Sequence, residues 1–231
     1  MNFEKAKELK DELDYIKVVM ERQRVELHDN IDRDIINYYF DKGYLSTHNK
    51  HKLSEVQNII GNKVTIKSIS ELQCFEEIPE TGNSLEENAL QKARYIYNKY
   101  HCNCFADDTG LEIDALGGRP GVYSARYAGE NCSFEDNMRK VLLEMQGITD
   151  RSARFRAVIA LIIDGKEYLF EGKVEGEIIE DEKGDAGFGY DPIFRPKGFS
   201  ETFAEMPADK KNEISHRGLA VEKLIAFLCQ L

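Results

Sequence analysis

The run ARFRAVIALII (Ala153–Ile163), then Asp164-Gly165, then the return KEYLFEGKVEGEII (Lys166–Ile179) decides the architecture. Residues 153–163 are rich in β-branched and other large apolar side chains, which suit a pleated, half-buried surface. An Asp-Gly pair between two such runs is a strong hairpin signal, because a two-residue type I′ turn needs positive φ at both central positions. The chain therefore returns as a second strand over Glu167–Ile179.

Working outward, Ser84-Leu85-Glu86-Glu87 is a capping box, with Ser84 as N-cap and Glu87 at the third helical position. The helix it opens is predicted to run to about Tyr100 and to bury Ala89, Ala93, Ile96, Tyr97 and Tyr100. Residues 101–106 are predicted to form a strand ending at Asp107-Asp108. Tyr44-Leu45 suits a short strand. A helix with Leu53, Val56, Ile59 and Ile60 on its apolar face then stops at Gly61, and residues 63–69 alternate as a strand. A last helix is predicted from near Ser215. Strand–helix units joined to a hairpin give an α/β class: a mixed sheet covered by helices.

The first 42 residues hold no glycine or proline, and residues 1–40 alternate ten acidic with seven basic side chains. Leu9, Leu13, Ile16 and Met20 follow 4-3-4 spacing, the apolar stripe of an amphipathic helix. Two readings stand: a helical extension docked on the domain, or a dimerisation arm. The expected division is a helical extension over 1–42 and a catalytic domain over 43–231.

The 231 residues, 42% hydrophobic and 32% charged, can bury a sizeable core. No apolar run approaches the ~20 residues of a membrane span. The opening MNFEKAKELKDELDY lacks the apolar centre of a signal peptide. Five cysteines at scattered spacings suggest free thiols in a reducing compartment, so a cytoplasmic protein is expected, with no membrane partner. Thirty-one basic against 42 acidic residues give a net charge of −11, which disfavours nucleic-acid binding. A small phosphorylated ligand remains compatible if a local cationic pocket or a divalent metal supplies countercharge.

Five segments are candidates for chemistry. Ser46–Lys52, STHNKHK, lies between a predicted strand and helix and is either a plain loop or an anion site. Glu80, Glu87, Asp107 and Asp108 offer the hard oxygens that magnesium prefers. Neighbouring residues on a strand face opposite ways, so Asp107 and Asp108 need not share a role; alternatively Asp-Asp-Thr-Gly is a simple turn. Asn88, Lys92 and Tyr95 share a helix face, which is a functional or merely solvated surface. Gly187-Phe188-Gly189-Tyr190-Asp191-Pro192 would let backbone and ring approach a flat ligand, or form a tight turn around a buried Phe188. Lys211–Gly218, KNEISHRG, gathers cations at a helix start, as an anion site or a capped helix end. Cys102 and Cys104 are read as structural thiols, since no second Cys/His pair has zinc spacing.

Taken together and in this order, Ser46–Lys52, Ser84–Ala93, Phe105–Arg126, Gly187–Phe194 and Phe203–Gly218 resemble the inosine triphosphatase family, the pyrophosphatases of non-standard purine nucleotides. The most specific stretches are ADDTGL (Ala106–Leu111) with GGRPGVYSAR (Gly117–Arg126), FGYD (Phe188–Asp191) and SHR (Ser215–Arg217). The resemblance covers roughly residues 43–231. It implies an elongated, twisted mixed sheet with flanking helices, forming two lobes around a cleft. It also implies a magnesium-dependent conversion of ITP, dITP and XTP to monophosphate and pyrophosphate, and a homodimer.

By the same resemblance Thr47, Asn49 and Lys52 fall on a triphosphate-binding loop, and Glu80 on a metal-ligand glutamate. Lys92 matches a phosphate-contacting lysine, Asp108 the general base and metal ligand, and Thr109 a substrate contact. Phe188, Gly189, Tyr190, Asp191, Lys211, His216 and Arg217 match nucleoside-binding positions. Two departures stand out: about 42 residues precede the first matched strand, and His48 replaces a usual glycine. Two competing classes remain: a related pyrophosphatase for modified pyrimidine or methylated nucleotides, and a weakly catalytic nucleotide-binding regulator.

Overall fold

The computed structural model describes residues 35–37, 44–45, 65–66, 78, 80–228 and 230. A five-stranded antiparallel sheet runs in the order β1 (Ile35–Asn37), β4 (Cys104–Ile113), β5 (Ser152–Ile163), β6 (Lys166–Ile178) and β7 (Phe194–Pro196). A separate parallel pair joins β2 (Tyr44–Leu45) to β3 (Thr65–Ile66), so parallel pairing is confined to that pair among the described residues. The helices are α1 (Leu85–Tyr100), α2 (Phe134–Glu144), α3 (Ala208–Ile214) and α4 (His216–Leu228). None of the described helices is long and apolar enough to cross a membrane.

The predicted hairpin is present. β5 and β6 stay in register from Ser152↔Glu177 to Ile163↔Lys166, and Asp164 and Gly165 turn the chain at φ 50° and 76°. From Ala157 onward every β5 residue is buried, because both faces of the strand are covered. Val158, Ala160 and Ile162 pack with Leu85, Ala89, Ala93 and Ile96 of α1. Ala157, Ile159, Leu161 and Ile163 pack with Ala220, Val221 and Leu224 of α4. Truncating one such residue, Ile96→Ala for instance, costs about 2–5 kcal/mol. A third cluster beneath α2 and β7 joins Leu111, Met138, Val141, Phe155, Phe194 and Phe203.

Four elements differ from the sequence reading. β4 does not end at Asp107-Asp108 but continues to Ile113, pairing Asp107 with Ile159 and Asp108 with Val158. The carboxylates stay inside the sheet because buried cations meet them. The last helix starts beside Ser215 as expected, but a short helix absent from the sequence reading, α3, precedes it, the two parted by an extended Ser215 whose Oγ accepts from the Gly218 N–H at 3.1 Å. Ser84 caps α1 as expected, accepting from the Glu87 N–H at 3.2 Å, but the Glu87 carboxylate accepts from the Asn83 N–H instead of completing the box on Ser84. Finally, Ile35–Asn37 pairs with Cys104–Ala106 as a strand, within the stretch expected to be helical. The expected helix over Leu53–Ile60 and the apolar stripe from Leu9 to Met20 lie outside the described residues.

Gly172 on β6 sets how α4 docks. A Cβ there would stand 1.9 Å from the His216 carbonyl oxygen and 2.5 Å from the Ala220 nitrogen. Only glycine allows the first turn of α4, which carries His216 and Arg217, to lie directly on the sheet.

Candidate active site

β4 is the common support of two side-chain groups, one on each face. Toward α1, Lys92 is fully buried, and its Nζ lies 2.7 Å from Glu80 Oε1 and 3.3 Å from Asp108 Oδ1. One turn earlier, Asn88 donates to Asp108 Oδ2 at 3.1 Å and accepts from the Gly82 N–H at 2.8 Å. Arg126 Nη1 approaches Glu80 Oε2 at 3.4 Å. The Asn88–Lys92 face is therefore an interior one, since a four-residue spacing brings amide and ammonium to the same carboxylate. Tyr95, the third member of that face, accepts from Lys99 Nζ at 3.3 Å.

Burial alone would push the Lys92 ammonium's pKa down, but the charges of Asp108, Glu80 and Asp107 outweigh it and hold it above the ordinary lysine value. Lys92 is thus a fixed cation beside two carboxylates. Glu80 and Asp108 supply the hard oxygens that suit a magnesium ion, which commonly takes one or two carboxylates plus water and substrate phosphates. Among the described residues no group of three or more His, Cys, Asp or Glu side chains gathers as a cage.

Toward α4, Asp107, Thr109 and Arg217 form the second group. Thr109 Oγ1 is 3.3 Å from Asp107 Oδ2, and Arg217 Nη2 donates to Thr109 Oγ1 at 3.3 Å. Arg217 Nε lies 3.6 Å from Asp107 Oδ2. Beyond them opens a pocket. Thr109, Ser124, Phe134, Asn137, Phe155, Phe188, Gly189, Tyr190, Asp191, Lys211, His216 and Arg217 line it. His216 stacks on Phe155 with centroids 4.6 Å apart and planes 12° from parallel. Lys211 Nζ and Arg217 Cζ stand 5.0 and 5.5 Å from the Phe188 ring centroid.

The glycine-rich segment is shaped by its own aspartate. Asp191 Oδ2 accepts from the Phe188 N–H and from Lys211 Nζ, both at 2.8 Å, while Gly187 and Gly189 take φ of 77° and 64°. Tyr190 donates to the Ser124 carbonyl at 2.8 Å, and burial pushes its phenol well above the usual range. Tyr190 and Asp191 thus spend these hydrogen bonds on the pocket wall, and Phe188 faces the cations.

The model of the Ham1 family matches residues 44–227. The chain belongs to the Ham1 family. It is 51% identical over 183 residues to the dITP/XTP pyrophosphatase of Flavobacterium johnsoniae, covering 79% of this chain and 95% of that one. It is 48% identical over 188 residues to the dITP/XTP pyrophosphatase of Bacillus subtilis, covering 80% and 95%. The Ham1 protein structure from Staphylococcus aureus superposes with a TM-score of 0.73 at 41% identity, over 79% of this chain and 95% of that one. The HAM1 protein from Coxiella burnetii gives 0.75 at 38%, over 80% and 97%.

In this Ham1 chain the expected residues fall into the two groups described, with Glu80, Lys92 and Asp108 in one and Thr109, Phe188, Gly189, Tyr190, Asp191, Lys211, His216 and Arg217 around the other. Thr47, Asn49 and Lys52 lie outside the described residues. Sequence reasoning missed Arg126, Phe134 and Asn137. The last two sit on the first turn of α2, whose N-cap Ser133 forms a full capping box with Asp136. Ser-x-x-Asp is a weaker form of the signal that located α1, and it was available in the sequence. Asn137 binds the loop before it, accepting from the Ala128 N–H at 2.7 Å and donating to the Ala125 carbonyl at 3.1 Å. Cys102, Cys104 and Cys132 are free thiols; only Cys104 lies on the strand, and its Sγ donates to the Ala93 carbonyl.

Proposed function

We propose that this chain hydrolyses non-standard purine nucleoside triphosphates, namely ITP, dITP and XTP, to the monophosphate and pyrophosphate. The observation that carries the reading is the attachment of a charged group (Lys92, Glu80, Asp108) and an aromatic, cation-lined pocket to opposite faces of one strand. The first suits phosphates; the second suits a flat base with an acceptor on its edge. Ham1 relatives named dITP/XTP pyrophosphatase support the same assignment.

Water attack at the α-phosphorus makes pyrophosphate the leaving group. Asp108 orients that water and takes its proton, with Asn88 and Lys92 holding the carboxylate in place. Magnesium, held by Glu80 and Asp108, would supply countercharge for the phosphate oxygens. Lys92 adds a buried positive charge, and Thr47, Asn49 and Lys52 contribute the phosphate loop. The base rests against Phe188, with Lys211, His216 and Arg217 at the pocket wall. A cationic or N–H donor aimed at O6 would leave adenine's amino group facing a donor, so ATP is rejected.

The catalytic residues are assigned to 43–231, with β1 (Ile35–Asn37) completing their sheet, and the rest of the extension over 1–42 lies outside the chemistry. A cytoplasmic homodimer is the expected working form. The test is product analysis with ITP, dITP, XTP, GTP and ATP plus magnesium. The expected result is monophosphate and pyrophosphate from the first three, with ATP and GTP much slower. Inorganic phosphate and a diphosphate as first products would overturn the cleavage position.

A further inference from the structure

We propose that Asp107 is a positioning residue for base selection: together with Thr109 it fixes the Arg217 guanidinium beside Phe188, so that a purine's 6-position meets a donor that cannot swing away. This deepens, and rests on, the reading of the pocket as a base site. Asp107 and Arg217 are 1% and 2% exposed, so each charge needs a nearby partner. They meet at 3.6 Å. The Thr109 hydroxyl lies 3.3 Å from both and has one proton to give to the carboxylate and lone pairs to accept the Arg217 N–H.

The guanidinium is thus held on two sides. Asp107 and Thr109 stand behind it on β4, and the Phe188 ring lies 5.5 Å from its carbon. Phe188 is itself anchored through its N–H on Asp191. On the opposite face of the strand, Asp108 belongs to the other group, so Asp107 acts on the base end of the substrate.

Fixity is what makes such a donor selective. Hypoxanthine presents an acceptor at its 6-position, where adenine presents an amino donor. A mobile arginine would turn aside for adenine at little cost. An arginine locked against a carboxylate must face it, and two opposed donors leave buried hydrogen bonds unmade. Arginine's planar donor fork also gives this orientation a meaning that a lysine's rotating ammonium lacks.

The test is the ratio of kcat/KM for ITP to that for ATP, measured on the full chain and on Asp107→Asn, Asp107→Glu and Thr109→Val. Asp107→Asn is expected to lower the ratio at least tenfold, through a raised KM for ITP more than through kcat. Asp107→Glu, which keeps the charge, should recover part of it. Thr109→Val, which keeps the volume, should shift the ratio the same way. Binding of inosine monophosphate against adenosine monophosphate reads the same contrast without chemistry, for any variant too weak to turn over. If Asp107→Asn lowers both substrates equally and keeps the ratio within twofold, Asp107 is only structural and the proposal falls while the base-site reading stands. A wild-type chain with no preference in turnover or binding overturns the base-site reading and the proposal together.

Discussion

Asp107 and Asp108, neighbours in the chain, leave β4 on opposite faces: the carboxylate of Asp108 reaches Lys92 at 3.3 Å and that of Asp107 reaches Arg217 at 3.6 Å. Strand alternation alone produces this division. In the proposed function this commits one carboxylate to the phosphate end and the other to the base end.

Asp108→Asn should therefore keep the fold and lose most turnover, on the order of 10²–10⁴-fold, since it preserves shape while removing a base and a metal-binding charge. Monophosphate binding should survive, because the base pocket is built on the other face. Steady-state kinetics alongside calorimetric binding check both halves. Near-normal turnover of the variant with magnesium would remove Asp108 from the mechanism.

Gly172→Ala should damage the pocket without touching it. The added methyl would collide with the His216 carbonyl at 1.9 Å, so the first turn of α4 must lift. A stability loss of about 1–3 kcal/mol is expected for such overpacking, and KM for ITP should rise as His216 and Arg217 move. Denaturant unfolding and kinetics on one preparation decide; unchanged values in both would mean that α4 docks more loosely than described.

Removing residues 1–30 should leave ITP hydrolysis intact, because the described active-site groups begin at Glu80 and the matched loop begins at Ser46. Removing residues 1–40 also deletes β1, which pairs with Cys104–Ala106 immediately before the two aspartates. That longer cut exposes the edge of β4 and is expected to lower the melting temperature or prevent folding. A folded 31–231 fragment that binds ITP but cannot cleave it would show that the extension supplies a catalytic group.

Stability should decline between about pH 10 and 12. Burial, and then its hydrogen bond to Glu144 at 2.6 Å, pushes the Tyr127 phenol up to about 12, above the ~10 of an unfolded tyrosine. A raised pKa means that the stabilisation is complete below the unfolded value and is lost as pH climbs through the folded one. Tyr127→Phe should be less stable at pH 8 yet show a shallower alkaline decline, read from urea midpoints at pH 8 and 11. Tyr190, also shifted upward, keeps the decline from vanishing. Parallel declines in the two proteins would exclude Tyr127 as a source.

The hairpin was legible because its signal is local: two β-forming runs and an Asp-Gly turn lie together in the chain. α1 was legible for the same reason, through Ser84. The continuation of β4 was not. Asp-Asp-Thr-Gly has the composition of a turn, and it becomes strand only because Lys92, sixteen residues away from Asp108, and Arg217, 108 residues away from Thr109, bring buried partners to it. Such partnerships have no periodicity to reveal them. The start of α4 beside Ser215 was legible, whereas the short α3 before it was not. Most of the site residues came from family resemblance; the residues themselves left Asn88–Lys92 open between a functional and a solvated face.

Because the proposed function hangs both ends of the substrate from consecutive residues of one strand, the ten-residue pairing of β4 with β5, from Cys104↔Ile162 to Ile113↔Ala153, doubles as an alignment gauge. A slip of a single residue would exchange the two carboxylates, sending Asp107 to the lysine and Asp108 to the arginine, and would turn the apolar neighbours outward. Insertions or deletions inside this strand are therefore intolerable in a way that substitutions are not. Length changes should be accepted only beyond its ends, as in the turn around Gly117-Gly118.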